Sequence, residues 1–443
     1  MPDAYDVIII GGGAAGENVA GRTAPGGLST LLVESALVGG ECSYWACMPS
    51  KALLRPSEVL DAARRVPGAR DAVTGGVNAA RTFRSRDSMV HNWDDSGQAK
   101  WVASVGADLI RGHARLAGPR RVEVVSDSGT QTFTARLAVV VATGSTAVIP
   151  PIPGLDTVKP WTSRDATSAS EAPETLAIMG AGPVGLEMAQ AWHSLGSQVT
   201  LIDRNGVAEH SRFEPFAMET IAKVFQEQGI RMLLGANVES VRQGTGQVTL
   251  QLDGGRTVEA AGLLAALGRR PATDDVGLET VGLEAGKPVR VNGHLLAEGV
   301  DGGWLYAVGD VNGRALLTHQ GKYQARIAGD HILGKDGTAW ADDHAVPAVV
   351  FTDPQVAMVG LTERAASEKG INVRAVQMGW QVAAASLKGQ GVTGGVKFVV
   401  DEDRRVLVGA TFVGPEVGEL LHAATIAIIG EVPLDRLWHA VPA

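Results

Sequence analysis

A chain of 443 residues, 45% hydrophobic and 20% charged, exceeds what one ordinary core supports, so two or three domains are expected; its 56 glycines, dispersed without a repeat, exclude collagenous and disordered classes. The 39 basic against 48 acidic residues give a net charge of −9 with no basic run, which leaves nucleic-acid and anionic-membrane partners without electrostatic support. The N-terminal MPDAYDVIII has no basic leader region and no later apolar run is long enough to span a bilayer, so the expectation is a soluble, cytoplasmic protein with no membrane partner.

In chain order, Asp6 to Ile10 reads as an apolar strand, Gly11 to Gly16 as a turn opening a helix, and Leu31 to Glu34 as the next strand, which makes a βαβ unit. The same pattern returns at Leu176 to Met179, Gly180 to Gly185, a helix through about Leu195, and Val199 to Asp203. Between the two, Ile149-Pro150-Pro151-Ile152-Pro153-Gly154 is too rich in proline for regular structure and reads as a domain crossover. A second crossover is expected at Gly268-Arg269-Arg270-Pro271, followed by an apolar strand from Trp304 to Val308 that ends in Gly309-Asp310. From about Ala341 the texture changes to short strands (Ala348 to Phe351, Val396 to Val400, Val406 to Val413) and two helices, an α+β module without a nucleotide motif. The expected fold class is α/β, with two Rossmann-like dinucleotide-binding domains and a C-terminal α+β domain.

Each glycine motif has a physical purpose. In Gly11-x-Gly13-x-x-Gly16 the glycines let backbone approach a pyrophosphate whose charge meets the helix start, and Glu34 is placed to hold a ribose hydroxyl. Gly180-x-Gly182-x-x-Gly185 has Asp203 in the equivalent place, where an acid favours NAD over NADP; the neighbouring Arg204 leaves a 2′-phosphate possible if its side chain turns inward.

Cys42 and Cys47 are the two cysteines of the chain, five positions apart, in Gly39-Gly40-Glu41-Cys42-Ser43-Tyr44-Trp45-Ala46-Cys47-Met48-Pro49-Ser50-Lys51. Such a pair is no secreted disulfide framework. On a regular helix the two Cα atoms would stand about 8 to 9 Å apart, beyond disulfide reach, so the segment must distort when oxidised. Pro49 suits a helix start or kink, which would set Cys47 at a positive dipole end that favours thiolate. Two buried structural thiols are the alternative; a metal site would need His or Cys partners that the neighbouring sequence lacks.

Over essentially its whole length the chain resembles the pyridine nucleotide-disulfide oxidoreductases, the group of dihydrolipoamide dehydrogenase, glutathione reductase and mercuric reductase. The resemblance rests on the cysteine segment, both glycine motifs, Ala142-Thr143-Gly144-Ser145, Gly268-Arg269-Arg270-Pro271, Ala307-Val308-Gly309-Asp310 and Val349-Val350-Phe351-Thr352-Asp353-Pro354. It implies an FAD-binding domain made of 1–148 and 268–340, an NAD(P)-binding domain at 149–267 and a dimerisation domain at 341–443, hence a homodimer. It also implies that Cys47 faces the flavin, that Cys42 is the interchange thiol, and that Lys51 approaches the flavin paired with Glu187. Asp310 would bond the ribitol chain of FAD. The implied cofactor-binding set further includes Ala114, Thr143, Gly144, Leu317, Thr318 and His319, with Val238 and Gly268.

Two features depart from the family pattern. The family has a histidine followed by proline near the C-terminus, oriented by a glutamate, as acid–base for substrate thiols; here the sequence reads Trp438-His439-Ala440-Val441-Pro442-Ala443. With Pro442 as the motif proline the base position is Val441, and His439, the candidate base, stands two residues early; the alternative is that the motif lies past Ala443. The spacer Ser43-Tyr44-Trp45-Ala46 replaces a smaller one containing asparagine and glycine, and no C-terminal cysteine pair of the mercury-delivering kind occurs. The expected activity is therefore FAD-dependent, NAD(P)H-linked reduction of a small disulfide through Cys42 and Cys47. The alternatives are reduction of a quinone-type acceptor, or a flavin-bound docking subunit with little turnover.

Overall fold

The computed structural model describes residues 2–206, 213–380 and 382–441. It divides into two compact units, one of Met1–Pro49, Asp87–Val148 and Arg269–Asp342, the other of Ser50–Arg86, Ile149–Gly268 and Asp343–Ala443.

The first unit is built on strand β1 (Ala4–Ile10), which pairs in parallel with β2 (Thr30–Glu34) on one side and with the long strand Gly129–Val141 on the other. Val7, Ile8 and Ile9 are fully buried, as expected of a central parallel strand covered on both faces. Asp108–Arg111 extends the sheet beyond β2, and the antiparallel strands Arg121–Ser126 and His113–Leu116 extend it beyond Gly129–Val141. Leu305–Ala307 pairs in parallel with the last residues of Gly129–Val141.

Helix α1 (Ala14–Thr23) follows β1 through the glycine turn. Gly11 has φ +104°, and a side chain there would meet the Ala142 carbonyl, while one at Gly16 would run into the carbonyl oxygen of Gly11 itself. Neither position admits a Cβ without moving backbone. Helix α1 packs along the helix Thr318–Ile332: Gly321 faces Ala15, Gly329 receives the Arg22 stem, and Arg22 pairs with Asp330 at 2.6 Å.

In the second unit a four-stranded parallel sheet runs in the order Arg231–Leu234, Gln198–Asp203, Thr175–Met179, Gly262–Ala265. Its glycine turn repeats the first one: Gly180 has φ +104°, and a side chain on Gly185 would strike the Gly180 carbonyl. The following helix, Pro183–Ser194, buries Trp192 completely against Trp161 and Phe83, with ring centroids 5.5 and 5.9 Å away. Truncating a buried Trp of this kind costs on the order of 3–5 kcal/mol. The strands Val238–Gln243, Val248–Leu252 and Thr257–Ala260 form an antiparallel meander. The C-terminal part is a five-stranded antiparallel sheet, Pro347–Val350, Gln355–Gly360, Val406–Gly414, Gly395–Asp401 and Val373–Gly379 in spatial order, backed by the helix Gly418–Ile429. Among the described residues no helix is long and apolar enough to cross a membrane.

Candidate active site

The cysteine segment forms two helices rather than one. Helix α2 (Gly40–Tyr44) starts from Gly39, whose φ of 108° few other residues tolerate, and stops at Trp45, where φ is −137° and ψ is 0°. Helix α3 (Cys47–Arg65) then begins at the second cysteine, with Pro49 in its first turn, where a missing amide proton costs nothing. The break removes the separation that a regular helix would impose. Both cysteines are free thiols, and their side chains hydrogen-bond each other.

That contact raises the Cys42 pKa first, burial raises it further, and Thr318 and the charge of Lys322 oppose the rise. Contact with the Cys47 sulfur thus makes the Cys42 proton harder to remove. Thr318, the first residue of its helix, places Oγ1 3.3 Å from Cys47 Sγ and also hydrogen-bonds Cys42. Leu317 caps this helix and His319 is exposed in its first turn.

Around the first glycine turn, the Glu34 carboxylate accepts the amide of Gly12 at 2.6 Å and that of Ala36 at 2.6 Å. Gly13 is extended and precedes α1, and Gly40 lies so close to it that a Cβ on Gly40 would come within 2.8 Å of the Gly13 Cα. Asp310, in the short turn Gly309–Asn312, accepts a hydrogen bond from the Ser145 hydroxyl. Arg269 donates to Ser145 Oγ at 2.7 Å and to its carbonyl at 2.6 Å, and lies 4.0 Å from Asp310. Burial raises the Asp310 pKa, opposed by Ser145 and Arg269. Thr143 donates to the Ala272 carbonyl at 2.8 Å, Gly144 accepts the Ala272 amide at 3.0 Å, and Ala114 is buried in the strand His113–Leu116. A side-chain-free cradle at a helix start, an acid at the end of the second strand, and a half-buried Asp with an Arg beside it make a donor set that fits FAD.

In the second unit, Lys51 donates to both carboxylate oxygens of Glu187, at 3.0 and 2.8 Å. Glu187 is 5% exposed and also accepts the Phe351 amide at 3.0 Å, while the Lys51 ammonium lies 4.6 Å from the centre of the Phe351 ring. Asp203 repeats the arrangement of Glu34: it accepts the amide of Ala181 at 2.6 Å and that of Asn205 at 2.7 Å. Gly182 matches Gly13 in extended conformation, Val238 is buried at the start of the meander, Gly268 has φ +112°, and Arg204 is exposed. These residues fit a nicotinamide dinucleotide.

The structure therefore brings together Cys42, Cys47 and Thr318, then Glu34 with the first turn, Lys51 with Glu187, and Asp203 with the second turn. His439 is exposed beyond the short helix Leu434–Leu437, and its side chain joins none of these groups among the described residues. Pro442 and Ala443 lie outside the described residues. Sequence reasoning quoted Ser145, Arg269 and Phe351 within motifs but gave them no role; three-dimensional proximity to Asp310 and Lys51 reveals one for each. Glu17, in the first turn of α1, is half-buried, and partial burial pushes its carboxyl up to about 7, a feature the sequence does not carry.

Residues 5–326 match the model of the pyridine nucleotide-disulphide oxidoreductase family and residues 346–443 match the model of its dimerisation domain. The chain is 31% identical over 430 residues to a mercuric reductase of Staphylococcus aureus, covering 96% of this chain and 77% of that protein. It is 33% identical over 437 residues to a dihydrolipoyl dehydrogenase of Thermus scotoductus, covering 96% and 91%. Among solved structures, the HOCl-induced flavoprotein disulfide reductase RclA from Escherichia coli superposes with a TM-score of 0.84 at 25% identity, covering 99% of this chain and 96% of that one. LpdA from Mycobacterium tuberculosis shares the fold, with a TM-score of 0.85 at 24% identity over 99% and 96% of the two chains. The chain belongs to the pyridine nucleotide-disulfide oxidoreductase family, in the mercuric reductase and lipoamide dehydrogenase group. It is an FAD-dependent oxidoreductase of the kind that acts on sulfur groups with NAD(P)H, and it carries the family's dimerisation domain.

Proposed function

We propose that the chain, as a homodimer, moves two electrons from NADH to a small disulfide of the dihydrolipoamide kind through Cys42 and Cys47. The observation that carries this reading is the meeting of the two thiols at a helix break, with Thr318 against both, in the unit that holds the Gly11–Gly16 turn. When bound, FAD supplies two-electron exchange between the reduced nicotinamide and the cysteine pair. Cys47, at the start of α3, meets unsatisfied helix amides that favour an anionic sulfur, and it is assigned to the flavin side. Cys42 is the interchange thiol: after it gives up its proton its thiolate attacks the substrate disulfide, one substrate thiolate leaves, and Cys47 then attacks the Cys42 sulfur of the mixed disulfide and displaces the second as the protein disulfide forms. Glu187 holds the Lys51 ammonium in one place, as a cofactor-contacting lysine requires. Asp203, already aimed by Ala181, favours the free 2′-hydroxyl of NAD.

Anaerobic titration with NADH tests the assignment of the sulfurs: a long-wavelength absorbance band should develop and should vanish in Cys47→Ser. Persistence of the band in that variant would sink the assignment. Comparing kcat/KM for NADH and NADPH tests Asp203, and a strong NADPH preference would show that Arg204 governs instead.

A second reading, reduction of a quinone-type acceptor, is favoured by His439, which is exposed and joins neither thiol among the described residues. Cys42→Ser separates the two. It should stop disulfide reduction and spare quinone reduction; survival of both activities would remove the cysteine pair from the route to substrate.

A further inference from the structure

The helix Thr318–Ile332 carries Gln320 and Gln324 one turn apart on the same face, and both are buried. Their side-chain amides donate to the two oxygens of one carboxylate: Gln320 Nε2 to Asp342 Oδ1 at 2.6 Å, and Gln324 Nε2 to Asp342 Oδ2 at 2.9 Å. The Asp342 side chain is fully buried, and the Arg314 guanidinium stands 3.5 Å from Oδ2. A carboxylate withdrawn from water in this way needs donors in place of its hydration, and the donors are fixed in return.

The other end of the Gln324 side chain reaches the short turn Gly309–Asn312. Gln324 Oε1 accepts the Gly309 amide at 2.7 Å and Asn312 Nδ2 at 2.8 Å, so one oxygen clamps the first and the last residue of the turn, with Asp310 between them. The orientation of the Gln324 amide group follows from its partners, since an ionised carboxylate only accepts and a backbone amide only donates. Asn312 is buried as well and donates to the Ala307 carbonyl at 3.1 Å, which ties the turn to the end of the strand Leu305–Ala307. The helix lies close to the turn because Gly321 has no side chain: a Cβ there would stand 3.3 Å from the Gly309 Cα. Gly309 has φ +80°, and because a glycine populates both signs of φ with similar ease, the clamp supplies an order that the residue's own preference does not.

We infer that Gln324 is a positioning residue for the cofactor: anchored by Asp342, it holds the backbone of the Gly309–Asn312 turn so that Asp310, whose carboxylate accepts the Ser145 hydroxyl, is ready to bond the ribitol chain of FAD. The inference rests on the reading of Asp310 as a cofactor contact. Gln320 is a control that the fold itself provides. It is buried and bound to the same carboxylate, but makes no hydrogen bond to the turn among the described residues.

The test follows FAD release from the holoprotein, read as the rise of free-flavin fluorescence after dilution, with the midpoint of thermal unfolding measured alongside. Gln324→Met should release FAD about tenfold faster or more, the scale set by a buried amide that loses its acceptor. Gln320→Met should lower the unfolding midpoint to a similar degree, because it too deprives Asp342 of a donor, yet release FAD within about twofold of wild type. Gln324→Glu separates positioning from bulk stability. When protonated, the new carboxyl can donate to Asp342 and accept from Gly309 as the glutamine does; when ionised, it sets a second negative charge against Asp342, with Arg314 as the facing cation. Its release rate should therefore approach that of wild type on acidification and climb as pH rises, a dependence that Gln324→Met lacks. A Gln324→Met rate equal to wild type, a Gln320→Met rate as fast as that of Gln324→Met, or a Gln324→Glu profile parallel to that of Gln324→Met would overturn the inference. If Gln324→Met does not fold, the Gln324→Glu profile set against wild type decides, and parallel profiles overturn it. Asp310→Ala keeps the two failures apart: wild-type release in that variant defeats the reading of Asp310 itself, whatever the glutamine variants show.

Discussion

Glu187 is the residue whose replacement most sharply tests the energetics of the second unit. Glu187→Gln keeps the shape and an acceptor for the Phe351 amide but removes the charge that receives Lys51 at 2.8 and 3.0 Å. Hydrogen bonds to charged groups contribute about 1.5–3 kcal/mol, and because the Lys51 side chain is 35% exposed the lower end applies, so a loss of about 1.5–2 kcal/mol is expected. Lys51→Met should cost more, about 3–5 kcal/mol, because it strands a carboxylate whose side chain is only 7% exposed. Denaturant unfolding followed by tryptophan fluorescence suits the question, since Trp161 and Trp192 lie in the same unit. Stability of both variants within about 0.5 kcal/mol of wild type, or a reversed order, would refute the view that the buried Glu187 side chain depends on its pairing with Lys51.

Gly16→Ala should abolish FAD retention while leaving the second unit folded, because the added methyl collides with the Gly11 carbonyl; normal flavin content after purification would contradict this. Tyr44 is fully buried with a hydroxyl that has no hydrogen-bond partner among the described residues, so Tyr44→Phe should raise stability by about 1–3 kcal/mol, and a decrease would argue against an orphan hydroxyl. His331 has its pKa lowered from 6.5, by burial and then by the stacked His294 4.5 Å away, with Asp336 opposing, and it accepts the Tyr306 hydroxyl at 2.8 Å when neutral. Its folded-state pKa lies below the unfolded one, so its contribution to stability is present above 6.5 and is lost as pH falls below that value. Amide exchange at the end of the helix Thr318–Ile332 should therefore accelerate on mild acidification, and His331→Phe should flatten that response.

The two dinucleotide units were legible because glycine spacing, β-branched strands and a terminal acid report one local geometry. Glu34 and Asp203 stand where that logic puts them, each bonded to an amide of its own turn. The break between Tyr44 and Cys47 was legible only as a necessity, since the spacing ruled out one regular helix without saying where it stops. Gly39 in the left-handed region and Trp45 outside the helical one supply the location, and neither has a sequence signature strong enough to read alone. The network of Asp310, Ser145 and Arg269 was invisible as a network because its members lie far apart in the chain and meet through sheet pairing: Arg269–Pro271 runs antiparallel to Ser145–Ala147. Glu17 was missed for a related reason. A glutamate in the first turn of a helix is ordinary, and only the packing of α1 on its neighbour makes this one half-buried.

Because Glu34 and Asp203 are each tied to a backbone amide before any dinucleotide arrives, the rotamer entropy of both acids is surrendered during folding rather than during binding. Fixing a flexible side chain at the moment of association costs about 0.5–1.5 kcal/mol, and preorganisation of this kind removes that cost from the encounter. It also makes each acid a sensor of its own turn: a shift of the glycine backbone moves the carboxylate with it, so the turn and its acid stand or fail together.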